Sequence, residues 1–146
     1  MKRDASLIPL SHQHHNGLAL CVLVTRSLDA DSSDANIARQ AAKIVDRFEI
    51  ELVNHFALEE EFLFPLLTEH PLTPQLIAEH RQMEAAVDGL RSQPSREAIL
   101  AFVELLRTHI RREENELFQD AQSTLSRADL DRLGAEMDRL AVRVCL

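Results

Sequence analysis

The stretch His55-Phe-Ala-Leu-Glu59-Glu60-Glu-Phe-Leu-Phe64 recurs in outline as His109-Ile-Arg-Arg-Glu113-Glu114-Asn-Glu-Leu-Phe118. His, Glu, Glu, Leu and Phe fall at the same places in both copies. Each copy sets a His four residues before a Glu, which on a helix puts the two side chains on one face, one turn apart. The surrounding apolar residues place that face. In the first copy Ile44, Phe48, Leu52, His55, Glu59 and Phe62 form one stripe; in the second Phe102, Leu105 or Leu106, His109, Glu113 and Leu117 do. The His–Glu pairs therefore lie on the apolar side of their helices. A pair serving only as a surface contact, worth about 0.2–0.5 kcal/mol, belongs on the wet side. A buried charge needs a partner, so two inward pairs point to a two-metal site.

The rest of the chain supplies a scaffold for such a site. Its 146 residues are the size of one domain, expected to span 1–146, and 45% hydrophobic content can fill a core. Trp and Tyr are absent, Gly is rare, and Ala, Leu, Glu and Arg dominate, which is an all-helical composition. The lack of Tyr also rules out tyrosyl-radical chemistry. Helices are expected from Ser11 to Leu28, Ala35 to Leu67, Pro74 to Arg91 and Arg96 to Thr124, with a short last one from Arg127 to Val142. Ser11, Thr73, Ser95 and Ser126 are the expected caps. Short connectors between four long helices predict an all-α, up-down-up-down four-helix bundle with a short extra C-terminal helix. That last helix, with Leu130, Leu133, Met137, Leu140 and Val144 at helical spacing, can cover the bundle end or meet a second copy.

Charge and cysteine content narrow the function. A net charge of −8 without a basic cluster argues against nucleic acid. No apolar run approaches the roughly 18 residues of a membrane span, and no apolar leader opens the chain. Cys21 and Cys145 form no CxxC and read as reduced thiols, Cys21 as a core residue. The expected location is the cytoplasm.

Two other helices carry His. In the first, the positions following His14 on its own face are mostly apolar, whereas those following His15 turn polar; His14 is the inward candidate and His15 the alternative. In the third, His80 and Glu84 repeat the four-residue spacing. At about 1.5 Å per residue, the offsets of these groups from their shared turns are roughly 5–10 Å, so all four helices can bring them to one layer. Imidazole and carboxylate suit Fe, Mn or Zn. Glu59 and Glu113 are the natural bridges, and His14, His55, His80 and His109 the terminal ligands. Glu60 and Glu114, present in both copies, are read as a solvated face or as groups that orient a ligand His. His12 and His70 read as surface residues.

The chain resembles the hemerythrin-like, or HHE cation-binding, domain family. The resemblance covers nearly its whole length and rests on His14-His15, on His55 to Glu60 with Leu63-Phe64-Pro65, on Glu79-His80, and on His109 to Glu114 with Leu117-Phe118. It implies two Fe ions, oxo- or hydroxo-bridged, with Mn or Zn as substitutes, held by His14, His55, Glu59, His80, His109 and Glu113. Glu84 joins them as a further ligand at the position where oxygen carriers have a second His. The spacing of His109 and Glu113, four residues rather than five, is a second departure. Both count against oxygen storage. The function expected is binding of, or response to, O₂, NO or peroxide. The competing readings are iron storage or delivery, repair of oxidative or nitrosative damage, and a metal-free helical interaction module. Expected partners are a small diatomic ligand or peroxide, and a second copy or another protein; no membrane and no nucleic acid are expected.

Overall fold

The computed structural model describes residues 2–144, and these contain helices and no strand. Five helical rods account for most of them. α1 is Ile8–Ala30, entered through a 3₁₀ turn at Ala5–Leu7. α2 covers residues 34–66, α3 is Leu72–Ser92, α4 covers 96–124, and α5 is Arg127–Leu140. Side chains mark several starts. Ser33, Ser95 and Ser126 each accept a hydrogen bond from the backbone N–H three residues on, satisfying a donor that the helix leaves open.

Two expected caps lie elsewhere. α1 starts before Ser11, because Asp4 caps the preceding 3₁₀ turn and Pro9 fits the first turn of the helix. The Ser11 hydroxyl instead donates to Glu114 on α4. α3 starts at Leu72, so Thr73 lies inside it; its hydroxyl donates back to the Leu67 carbonyl at 2.7 Å and ties the connector to the helix. α5 ends at Leu140 rather than Val142. Cys145 lies outside the described residues. Cys21 is buried and unpaired, and burial pushes its thiol up to about 11.

α2 and α4 are not uniform α-helices. Wider π turns interrupt them at Phe48–Leu52, Glu59–Leu63 and Glu113–Leu117. Two of the three begin at the Glu of a His-x-x-x-Glu pair. Such bulges add a residue to one turn and gather at functional sites. Past Glu59 the fully buried position is Leu63, while Phe62 is only partly covered.

α1 packs against α2 and α4, and α3 packs against the same two. Their apolar side chains form two separate clusters. One holds Leu20 to Leu28, Ile44 to Phe56, Met83 to Leu90 and Ile99 to Ile110. The other holds Leu7, Leu10, Leu58 to Leu67, Leu76, Leu117 to Ala121 and, from α5, Leu133 and Met137. On every long rod the chain passes from one cluster to the other at the level of the candidate ligands. Gly17 permits close approach at this level: a Cβ there would stand 3.2 Å from Ile110 Cδ1.

Candidate metal centre

Between the two apolar clusters lies a layer of six buried polar side chains, none more than 3% exposed: His14, His55, Glu59, His80, His109 and Glu113. They form two groups. His14, His55, Glu59 and Glu113 can each direct a ligand atom to within 4.8 Å of the others, and so can Glu59, His80, His109 and Glu113. Each group has the donors to hold a metal ion, and both carboxylates belong to both groups.

The layer has an internal two-fold likeness that follows from the sequence repeat. Glu59 Oε1 lies 3.0 Å from His80 Nε2, and Glu113 Oε1 lies 3.0 Å from His14 Nε2. The next residue in each copy takes the far side of the same ring. His80 Nδ1 donates to Glu60 at 2.7 Å, and His14 Nδ1 donates to Glu114 at 2.9 Å. The closing Phe of each copy then covers that ring: Phe64 stacks on His80, and Phe118 on His14. The residues preceding His14 and His80 complete the pattern. His55 Nδ1 donates to Gln13 Oε1 at 2.9 Å, and His109 Nδ1 donates to Glu79 at 2.8 Å. Each motif thus positions its own His and the His of a neighbouring helix.

This arrangement decides which ring atom faces inward. Each Nδ1 donates to an outer acceptor, which turns each Nε2 toward the carboxylate oxygens of the layer. His55 Nε2 and Glu59 Oε1 are 3.3 Å apart, and His109 Nε2 and Glu113 Oε1 3.1 Å. Lone pair against lone pair at that distance is repulsive unless a proton or a cation lies between. Among the described residues, His55 Nε2, Glu59 Oε2, His109 Nε2 and Glu113 Oε2 are buried with no hydrogen-bond partner at all. Native proteins leave few such atoms. These four converge on one layer, and their chemistry fits a cation.

Electrostatics distinguish the members. Burial, reinforced by the Glu113 carboxylate, pushes Glu59 well above the usual carboxylate range. Burial would raise Glu113 too, but the charge of the His109 ring and the close Glu59 and His14 side chains hold it well below that range. His109 loses basicity through burial and regains more from Glu113 and Glu79, which push it up to about 10. Burial and the neighbouring His109 push His80 well down. Glu79 and Glu114 stay low, because the hydrogen bonds from His109 and His14 outweigh their partial burial.

The other sequence candidates are placed apart from the layer. His15 and His12 are exposed on α1. His70, in the connector, donates to Asp120 at 2.7 Å. Glu84, expected as a ligand, is not brought to the layer: its side chain is 39% exposed and pairs with Arg81 at 3.3 Å. Met83 takes the buried position on that turn of α3, and Glu84 faces a surface groove of about 480 Å³ that is also lined by Phe56, Glu60 and Arg81. Two residues at the layer have roles that the sequence did not show, although Glu79 stands in the Glu79-His80 motif. Gln13 and Glu79 each precede a candidate His, a position that predicts the side of the helix facing the next rod; no charge or motif marks Gln13.

No curated protein matches the chain at a significant level. The profile of the hemerythrin HHE cation-binding domain matches residues 8–121, which span α1 to most of α4 and every member of the buried layer. The chain therefore belongs to the hemerythrin HHE cation-binding domain family.

Proposed function

We propose that this protein holds two iron ions side by side and uses them to bind or respond to O₂, NO or peroxide. The observation that carries the proposal is the sharing of Glu59 and Glu113 by two buried His/Glu groups. A carboxylate that belongs to both groups could serve two cations at once, and two such carboxylates would hold them as a pair. His14 and His55 would complete one position, His80 and His109 the other. Each position would then have two imidazoles and two shared carboxylates, which leaves room for an exogenous ligand. Iron held there would supply one-electron redox chemistry.

The chain's own residues set the conditions for that chemistry. Glu114, Gln13, Glu60 and Glu79 fix the four ring orientations, so that each Nε2 points inward. Phe56 stacks on His80 with ring centroids 3.9 Å apart and also lines the surface groove. It keeps bulk water from that imidazole and stands where a small ligand would approach. Arg81 holds Glu84 in the groove, so Glu84 takes no part in the ligand set of this reading and acts on the charge of the approach. The order in which the rods pass from one apolar cluster to the other supports an up-down-up-down bundle, with α5 part of the same domain.

Iron storage or delivery would use the same residues, but a dry layer with oriented rings favours retention over turnover. A metal-free interaction module leaves four buried polar atoms without partners. Anaerobic iron loading, followed by optical spectra after separate additions of O₂, NO and peroxide, tests the proposal. Distinct spectral changes with at least one of the three are expected. Iron that binds but responds to none of them would favour storage.

A further inference from the structure

Gln13 and Glu79 occupy equivalent places in the internal two-fold pattern. Each precedes a His of the layer, and each accepts the Nδ1 proton of the His from a repeat motif. Their outer sides differ. Glu79 also accepts from Gln75 and Arg112, as a carboxylate can. Gln13 uses its amide N–H₂ to donate to the Val142 carbonyl at 3.0 Å and to Asn54 Oδ1 at 3.0 Å. A carboxylate at position 13 could not make these bonds, because an ionised Glu has no proton to donate.

The Val142 carbonyl belongs to the segment that follows α5. Asn54, the residue before His55, grips that segment from both directions: its side-chain oxygen accepts from Val142 N at 2.9 Å, and its nitrogen donates to the Leu140 carbonyl at 3.0 Å. Asn16, itself bonded to the buried Glu51, donates to the Val144 carbonyl at 3.0 Å. Three amide side chains of α1 and α2 thus hold the backbone of 140–144, a segment beyond the family-matched residues 8–121. Gln13 is 1% exposed, so the strap supplies a partner for a buried N–H₂ that otherwise would have one fewer.

We propose that the C-terminal strap, Asn54 and Gln13 form a positioning relay that sets His55, and that this relay makes the two metal positions unequal. Three of the four imidazoles are backed by a carboxylate, which strengthens a ring as a ligand. His55 alone is backed by a neutral amide, whose orientation depends on residues 140–142. The His14/His55 position is therefore the weaker one, and the strap controls how firmly it holds its ion. The two-metal part of this statement rests on the reading under Proposed function; the strap-to-His55 part does not.

The test uses the full chain, a version ending at Leu140, and Asn54→Ala, each checked for helical content by circular dichroism. In ¹⁵N-resolved NMR of the metal-free full chain, the His55 Nδ1 proton should be visible and slow to exchange. In the shortened chain and in Asn54→Ala it should exchange at least tenfold faster, with the His109 Nδ1 proton unchanged as the internal control. After iron loading, a competing chelator should remove one equivalent before the other, and both variants should speed the first phase roughly tenfold or more while sparing the second. If His55 Nδ1 is equally protected in all three proteins, or the chelation phases are unchanged in both variants, the relay is wrong. A full chain that takes up no iron would instead defeat the two-metal reading, and the NMR comparison would then decide the relay alone.

Discussion

Glu59 sits where its own charge is opposed by burial and by a second carboxylate, and His109 sits where its charge is favoured by two acids. In the metal-free protein near neutral pH, His109 therefore keeps its extra proton, its ordinary value of 6.5 being pushed up to about 10, while burial favours the neutral form of Glu59. Such protons must leave for these groups to act as ligands. Metal uptake at pH 7 should release protons, and apparent affinity should rise with pH. Calorimetric titration of the metal in two buffers of different ionisation enthalpy checks this; an uptake that releases none would contradict it. The same groups set the pH dependence of the metal-free fold. Between pH 7 and 9 the unfolded chain has already lost the His109 proton and the folded chain retains it, so stability falls as pH rises. Thermal unfolding at both pH values should give a lower Tm at pH 9 without metal, and a smaller drop with it. Substituting Glu113→Gln removes a donor from both groups and should abolish uptake of both ions together, read by elemental analysis; loss of only one would mean that the carboxylate is not shared.

The helices were legible from spacing and caps, and the errors have physical causes. Ser95 and Ser126 each follow a break in the apolar pattern and cap as expected, whereas Ser33, not singled out within the polar turn 29–34, caps α2 one residue earlier than the expected start at Ala35. Ser11 and Thr73 have the same chemistry but find better partners, Glu114 and the Leu67 carbonyl, which only the fold brings near. The π turns were not legible. A one-residue slip is invisible where apolar side chains are contiguous, as at Phe62-Leu63-Phe64 and Leu117-Phe118, because either register supplies a core residue. The inward choice of His14 over His15 could be read from the positions that follow each on the helix. Gln13 could not, since its role depends on Val142, 129 residues away. Two element-level outcomes are expected. Gly89 lies within α3 with open space around its Cα, so Gly89→Ala should stabilise the protein by about 0.5–1 kcal/mol. Ser95→Ala, which removes the cap of α4, should destabilise it by about 1 kcal/mol. Chemical denaturation measures both.

As a whole molecule the protein is two dry clusters with a polar layer between them, and α5 and its strap close one side. α5 is anchored by Leu133 and Met137 in the core, by Arg127 paired with Asp4, and by Gly134, where a Cβ would come 3.3 Å from the Ser6 backbone. Leu133→Ala should cost about 2–5 kcal/mol and, by loosening the base of the strap, should raise the rate at which a chelator takes the first metal equivalent. That dependence of the centre on the end of the chain was absent from the sequence pattern, because it runs through backbone carbonyls that no motif records. The polar layer itself was legible, since its six members are charged or titratable residues on apolar stripes; Glu84 met the spacing rule but not the packing, because Met83 fills the inward position of that turn. The claim on which all of this turns is that Glu59 and Glu113 bridge a pair of metal ions. Mössbauer spectroscopy of the iron-loaded, oxidised full chain in an applied field tests it most directly. Two ferric ions per chain, magnetically coupled to each other, are expected. Iron that is magnetically isolated, or present at no more than the level bound by a His55→Ala/His109→Ala double variant, would contradict it.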